Sequence, residues 1–295
     1  RQFGIVFVCF NFLYRALYVG ISNTKVITYS TIIMAVVNIV LDYGLIFGRF
    51  GLPEMGIGGA ALASLAAEIS AFVFFTTYSY IMLRKREFGM FKIHKLESEL
   101  MGRILKISTP TMIQKLFSFS VWFIFFVLIE KMGETATGIS SITRSIYMIL
   151  ITPCFAFSTT TNTLVSRIIG EGHTDQVFAT VNKVLKNCLM CTIPIVVVVA
   201  LFPITFASIY TDDLSFAQLV VPSIFVICSG TIFQCIGNAY FEAVSGTGNT
   251  SAALYLETVV LVVYVLFIAA MTHLTTHVEW VWTAEILYGI LLSII

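Results

Sequence analysis

Nine near-continuous apolar runs, at about residues 3–21, 26–48, 57–83, 104–130, 136–166, 178–204, 215–244, 250–272 and 278–295, are separated by short polar breaks. A helix needs about 20 apolar residues to cross the hydrocarbon core of a bilayer. The runs do not alternate with the period of two that a barrel strand requires. The pattern therefore predicts an all-α polytopic membrane protein with nine transmembrane helices. Composition agrees, since 58% of the 295 residues are apolar and 11% charged, against about 45–50% and about 25% in soluble domains. A formal net charge of +1 provides no field to gather nucleic acid, so nucleic-acid partners are excluded and the surrounding partner is membrane lipid.

Orientation follows from the 17 basic residues. With the breaks assigned alternately to two sides, Lys25, Arg84, Lys85, Arg86, Lys92, Lys95, Arg103, Lys106, Arg167, Lys183 and Lys186 fall on one side, and only Arg49 and Lys131 on the other; the remaining four are Arg1 at the terminus and Arg15, Lys115 and Arg144 within or near runs. That bias marks the richer side as cytoplasmic, and one miscounted helix would have scrambled it. The longest polar stretch, 84–103, becomes a cytoplasmic linker between residues 1–83, with three helices, and residues 104–295, with six. Arg1 in place of an initiator methionine, and the apolar run from Gly289 to Ile295 at the other end, read as a piece that lacks both ends of its parent.

A short internal repeat supports a two-bundle plan. Gly20-Ile21-Ser22-Asn23-Thr24 and Gly246-Thr247-Gly248-Asn249-Thr250 share Gly-x-x-Asn-Thr, each on the cytoplasmic side, with Tyr14 and Tyr240 six residues upstream. Each predicts a helix stop on Gly followed by an Asn or Thr cap. The copies end the first and seventh runs, a period of six helices. Paired six-helix halves are a repeat plan of secondary transporters, and residues 1–83 then form the last three helices of an amino-terminal lobe.

Ionisable groups inside a bilayer cost about 2.5–3.5 kcal/mol at a helix centre on insertion scales, so each is a candidate for function. Asn38 and Asp42 in the second run are four residues apart and share a helix face. An amide oxygen beside a carboxylate suits a proton or a hard cation such as sodium; a structural Asp bonded to a neighbouring helix has the same pattern. Glu68 is expected to face a cavity or to pair with a basic residue such as Arg15. Glu257 and Glu285 also lie in apolar runs, without a pattern that assigns them a role. Pro110, Pro153 and Pro194 predict kinks.

The stretch from Asn38 to Ser64 carries Asn-x-x-x-Asp, a Leu-Ile-Phe-Gly turn at 45–48, Gly51-Leu52-Pro53, and Gly56-Ile57-Gly58-Gly59-Ala60-Ala61-Leu62-Ala63-Ser64. With the two Gly-x-x-Asn-Thr copies and the helix count, it resembles the multidrug and toxic compound extrusion (MATE) family, helices four to twelve of twelve. The resemblance implies two six-helix lobes about a central cavity, exchanging an outgoing organic substrate for an incoming proton or sodium ion. It implies a cation site at Asp42 and Asn38, completed by Ser64 and by an Asp of a first helix ahead of Arg1. Family members with acids on helices seven and ten point to Gln114, Gln234, Asn238 and Glu242, joined by Glu68, as substrate-cavity residues. Because Glu130 stands at the outer end of helix seven and no acid at its middle, coupling through Asp42 is favoured.

The resulting expectation is a monomeric, multi-pass protein of the bacterial inner membrane. It exports small organic, cationic compounds by cation-coupled antiport, with no enzymatic activity, no cofactor beyond the coupling ion, and no metal apart from sodium at Asp42. The rival functions are a lipid-linked saccharide flippase, which would need cationic residues along its cavity, and a transport-inactive receptor or scaffold. Cys188-x-x-Cys191 lies in an apolar helix without redox context, His273 and His277 lack a third ligand, and no phosphate-binding glycine loop occurs.

Overall fold

The computed structural model describes residues 4–21, 23–83 and 97–294. Ser22 and most of the expected linker, including Arg84 to Arg86, Lys92 and Lys95, lie outside the described residues. Among the described residues there is no strand. The helices are α1 (Ile5–Gly20), α2 (Thr24–Phe47), α3 (Ile57–Leu83), α4 (Ser98–Glu130), α5 (Glu134–Gly170), α6 (Val177–Leu201), α7 (Pro203–Ser208), α8 (Leu214–Gly246), α9 (Thr250–Leu274), α10 (Val278–Trp282) and α11 (Ala284–Ile294). Seven of them, α2 to α6, α8 and α9, are long and apolar enough to cross a membrane. The first expected span is the 16-residue α1. The last is broken at Thr283 into α10 and α11, where the Thr283 hydroxyl bonds back to Trp280 O at 2.6 Å.

The chain divides into two units, residues 1–95 and 96–295. In the first, α2 and α3 form a tight hairpin. Gly48 closes α2 in the left-handed region at φ +63°, and Met55 N returns to Leu45 O at 2.8 Å. A Cβ on Gly59 would sit 2.5 Å from Leu45 O, so the contact between the helices requires glycine there. α1 packs on α3 through aromatic rings, with Tyr14 stacked on Phe75 at 5.5 Å. Polar pairs within this packing satisfy the ring hydroxyls: Tyr18 with Ser79 at 2.7 Å and Tyr14 with Thr76 at 3.1 Å.

In the second unit α5 and α8 lie at the centre, half of each span buried, against about a quarter for α4, α6 and α9. Ile146 and Leu150 of α5 and Ile224 and Ile227 of α8 are fully enclosed. α11 crosses α8 where glycine faces glycine, because a Cβ on Gly237 would lie 2.6 Å from Gly289 O, and one on Gly289 would lie 2.8 Å from Gln234 N. Small residues of this kind let helix backbones approach closely in membranes. Both Gly-x-x-Asn-Thr copies end one helix on Gly and start the next on Thr. Asn249 caps α9 through Ala252 N at 3.2 Å, whereas Asn23 makes no side-chain cap to α2.

One expected boundary moves. Residues 98–103, read as linker because of their charges, are the first turns of α4, where Arg103 pairs with Glu99 one turn earlier. Pro110, Pro153 and Pro194 all lie within continuous helices.

Asp213 caps α8, accepting from Ser215 N at 2.9 Å and Phe216 N at 3.4 Å, and from the Ser215 hydroxyl. The Ser215 hydroxyl bond, then these backbone bonds, hold its carboxyl below the ordinary aspartate range. A carboxyl lowered in the folded state adds stability above its unfolded pKa and loses it as pH falls through the folded value. Asp213→Ala should therefore lower the thermal midpoint of the solubilised protein at pH 7, and the gap to wild type should narrow as the pH falls below the ordinary aspartate value of about 3.9. A gap independent of pH would show that the cap acts without its charge.

Candidate functional site

Two cavities between the apolar helices are lined in part by polar and acidic side chains. The first belongs to α1, α2 and α3, has a volume of about 690 Å³, and is lined by Asn38, Ser64 and Glu68 among apolar neighbours. Glu68 is held from α1, where Asn11 donates its amide to Glu68 Oε2 at 2.8 Å and to Glu68 O at 3.0 Å. The basic partner expected at Arg15 is replaced by this neutral amide, and Arg15 Nε is buried without a partner. Asp42 lies one turn along α2 from Asn38, half-buried and outside the lining of this cavity. Its Oδ1 is buried and accepts no hydrogen bond. The structure thus gathers Asn38, Ser64 and Glu68, with Asp42 on the same helix face carrying an unsatisfied oxygen.

The second cavity, about 480 Å³, is enclosed by α4, α5, α8, α9 and α11. Three glutamates line it, each from a different helix: Glu242 of α8, Glu257 of α9 and Glu285 of α11. Glu242 accepts from Asn162 Nδ2 at 3.0 Å and faces Lys115 Nζ at 3.8 Å. Glu257 Oε1 accepts the hydroxyls of Ser118 at 2.6 Å and Tyr288 at 3.3 Å, while its Oε2 is buried with no partner. Glu285 is ringed by Tyr147, Gln234 and Tyr264. Trp122 and Tyr147, stacked with centroids 6.0 Å apart, add aromatic faces to the lining. A cavity of this kind offers anionic oxygens and π faces together, which suits a guest that is flat, apolar and positively charged.

Of the residues expected to line a substrate cavity, Gln234, Asn238 and Glu242 line this chamber and Glu68 lines the other. Gln114 does not; it is buried outside the lining, its Oε1 without a partner. Two basic residues within the apolar helices take different roles: Lys115 faces Glu242, and Arg144 lies over the Phe126 ring at 4.9 Å. Glu257 and Glu285 are the site residues that sequence reasoning passed over. No local pattern signals either, since Glu257 bonds Ser118 and Tyr288 and Glu285 bonds Tyr147 and Tyr264, all on other helices. Cys188 is buried and Cys191 exposed, so the two thiols face apart, and His277 faces Glu279. Among the described residues no three His, Cys, Asp or Glu side chains converge as metal ligands.

Comparison with known proteins identifies the fold. The MatE family model matches residues 110–270. A probable multidrug resistance protein NorM of Thermotoga maritima is 29% identical over 243 residues, which is 81% of this chain and 51% of the relative. The uncharacterized transporter YisQ of Bacillus subtilis is 25% identical over 219 residues, 72% of this chain and 47% of that protein. The chain thus spans about half the length of these relatives. Among solved structures, a multidrug resistance MATE family transporter in an outward-facing conformation superposes with a TM-score of 0.86 at 19% identity, over 98% of this chain and 64% of that one. A MOP superfamily transporter from Pyrococcus furiosus gives 0.85 at 18% identity, over 99% and 65%. At such identities the structures speak for the fold, and the fold is theirs. With the family model covering more than half of its length and its helices long and apolar enough for repeated membrane crossings, the chain is an integral multi-pass membrane protein and belongs to the MatE family.

Proposed function

We propose that the parent protein is a cation-coupled antiporter, driven by protons or sodium, which exports organic cations across the bacterial inner membrane by alternating access. One observation carries this reading: each unit holds, at membrane depth, a carboxylate oxygen that is buried and unbonded, Asp42 Oδ1 in the first and Glu257 Oε2 in the second. An anionic oxygen without a partner in a low-dielectric setting is costly, and a positive species relieves that cost. Asp42, one turn from Asn38 on the same face of α2 and with an unsatisfied oxygen, suits a proton or a small hard cation. Glu257, on the wall of an aromatic chamber, suits the charged end of an organic guest. Alternating occupancy by a driving ion and a guest is what exchange requires. A one-for-one exchange of monovalent cations moves no net charge, so the drive comes from the ion's concentration gradient, about 1.4 kcal/mol per proton for each unit of pH.

The flippase alternative is disfavoured by the same lining. A pyrophosphate would meet Glu242 and Glu257, while Lys115 already faces the first of them. The test is efflux of a fluorescent planar organic cation from vesicles containing the full-length protein, with pH and sodium gradients imposed separately. Efflux driven by one gradient and lost when both are collapsed is the expected result. No efflux under either gradient, with movement of a lipid-linked saccharide instead, would replace this reading by the flippase.

A further inference from the structure

Glu285 of α11 is 3% exposed, and its two carboxyl oxygens are surrounded differently. Oε1 accepts the Tyr264 hydroxyl at 2.6 Å. Oε2 belongs to a closed triangle: Tyr147 Oη lies 3.0 Å from it and 2.9 Å from Gln234 Oε1, and the Gln234 amide nitrogen also reaches Oε2. Three polar contacts need three protons between them. The phenol supplies one, and the amide supplies one, because its other end in the triangle is an oxygen. With the amide nitrogen on Oε2, both contacts of Tyr147 remain, and a single phenol proton can make only one of them a full two-centre hydrogen bond. With the amide turned over, nitrogen donates to Tyr147 and the phenol to Oε2, which leaves the amide oxygen against the carboxyl oxygen with no proton between them. In either orientation the third proton has one remaining source, the carboxyl itself.

We propose that Glu285 is a proton-binding site, a neutral carboxylic acid set into the wall of the second unit's chamber. Among the described residues no Lys, Arg or His forms an ion pair with it. Lys115, which shares the chamber wall, is directed at Glu242. The titratable groups that share this chamber around Glu285 are Tyr147 of α5, Tyr264 and Glu257 of α9, Glu242 of α8 and Tyr288 of α11. None is a cation that would hold it ionised, and burial of an unpaired carboxylate is unfavourable. The proton serves the packing as well, since it completes the bonds that tie α5, α8 and α11 together at this depth. Every group in this argument belongs to the second unit, so it is independent of the direction of transport and of the driving ion.

The measurement is infrared spectroscopy of the purified full-length protein at neutral pH, with glutamate carboxyls labelled by carbon-13. A protonated glutamic acid C=O band, sensitive to deuteration, is expected in the wild type and lost in Glu285→Gln, whose amide can occupy the same triangle. If Glu285→Gln does not fold, Tyr147→Phe gives the second reading, because removing the phenol takes away a partner and must shift the band. A wild-type protein without a protonated glutamic acid band overturns the proposal. So does a band that neither substitution removes or shifts. Neither outcome depends on whether vesicles containing the protein export an organic cation.

Discussion

Asp42→Asn in the full-length protein is expected to abolish gradient-driven efflux while leaving expression and membrane insertion at wild-type levels. The two halves of that expectation have separate causes. Asp42 Oδ1 accepts no hydrogen bond, so replacing the carboxylate by an amide of the same shape breaks no partnership in the folded protein. What is lost is the charge that would attract the driving ion. Exchange of one proton for one monovalent cation moves no net charge, so each unit of pH gradient, about 1.4 kcal/mol per proton, corresponds to a substrate gradient of roughly tenfold, and the substituted protein should equilibrate its substrate without concentrating it. The readout is steady-state accumulation of a fluorescent cation in vesicles under an imposed gradient. Unchanged accumulation would remove Asp42 from the coupling and leave Glu257 as the remaining unsatisfied acid, to be tested by the corresponding glutamine.

Gly289→Leu is expected to destabilise the second unit more than any substitution on its lipid-facing surface. A Cβ alone at position 289 would stand 2.8 Å from Gln234 N and from Phe233 C, and these are backbone atoms that cannot swing aside. Overpacking of a close core contact costs about 1–3 kcal/mol, and here relief requires α8 and α11 to separate. Separation would also draw Gln234 away from Glu285, opening the triangle that joins the helices. The expected result is a lowered unfolding midpoint for Gly289→Leu, with Gly289→Ala intermediate. Gly102, on the exposed start of α4 with nothing within 4 Å of its would-be Cβ, provides the contrast: Gly102→Ala should be neutral or slightly stabilising, because alanine is the better helix former. Equal midpoints for Gly289→Leu and wild type would mean that the helices are not held together at this crossing.

The features legible in the sequence are those written locally. Apolar runs mark membrane helices because bilayer thickness fixes their length, and the Gly-x-x-Asn-Thr copies mark helix ends because stop and cap lie within five residues. Asn38 and Asp42 could be paired on paper since one helical turn separates them. Glu257 and Glu285 could not be placed, because their partners are remote in the chain: Ser118 is 139 residues from Glu257, and Tyr147 is 138 from Glu285. No periodicity announces a hydrogen bond made between helices at depth. The start of α4 was misread for the opposite reason, since Glu99 and Arg103 look like solvated linker but are spaced one turn apart, which a helix accommodates as an ion pair. The break at Thr283 lies inside an unbroken apolar run and has no turn residue to reveal it.

The contact between Lys115 and Glu242 at the chamber has a consequence for what the cavity can admit. The ammonium of Lys115 is a resident competitor that already occupies the neighbourhood of one acid, so a newcomer must outbid a tethered cation at that wall. A small, strongly hydrated ion brings only charge to such a contest and gains little by winning it. A bulky aromatic cation brings surface as well, and the rings of Trp122 and Tyr147 reward it where lysine's flexible stem earns nothing. Selectivity for large, flat guests would then arise from displacement, without any pocket shaped to one compound.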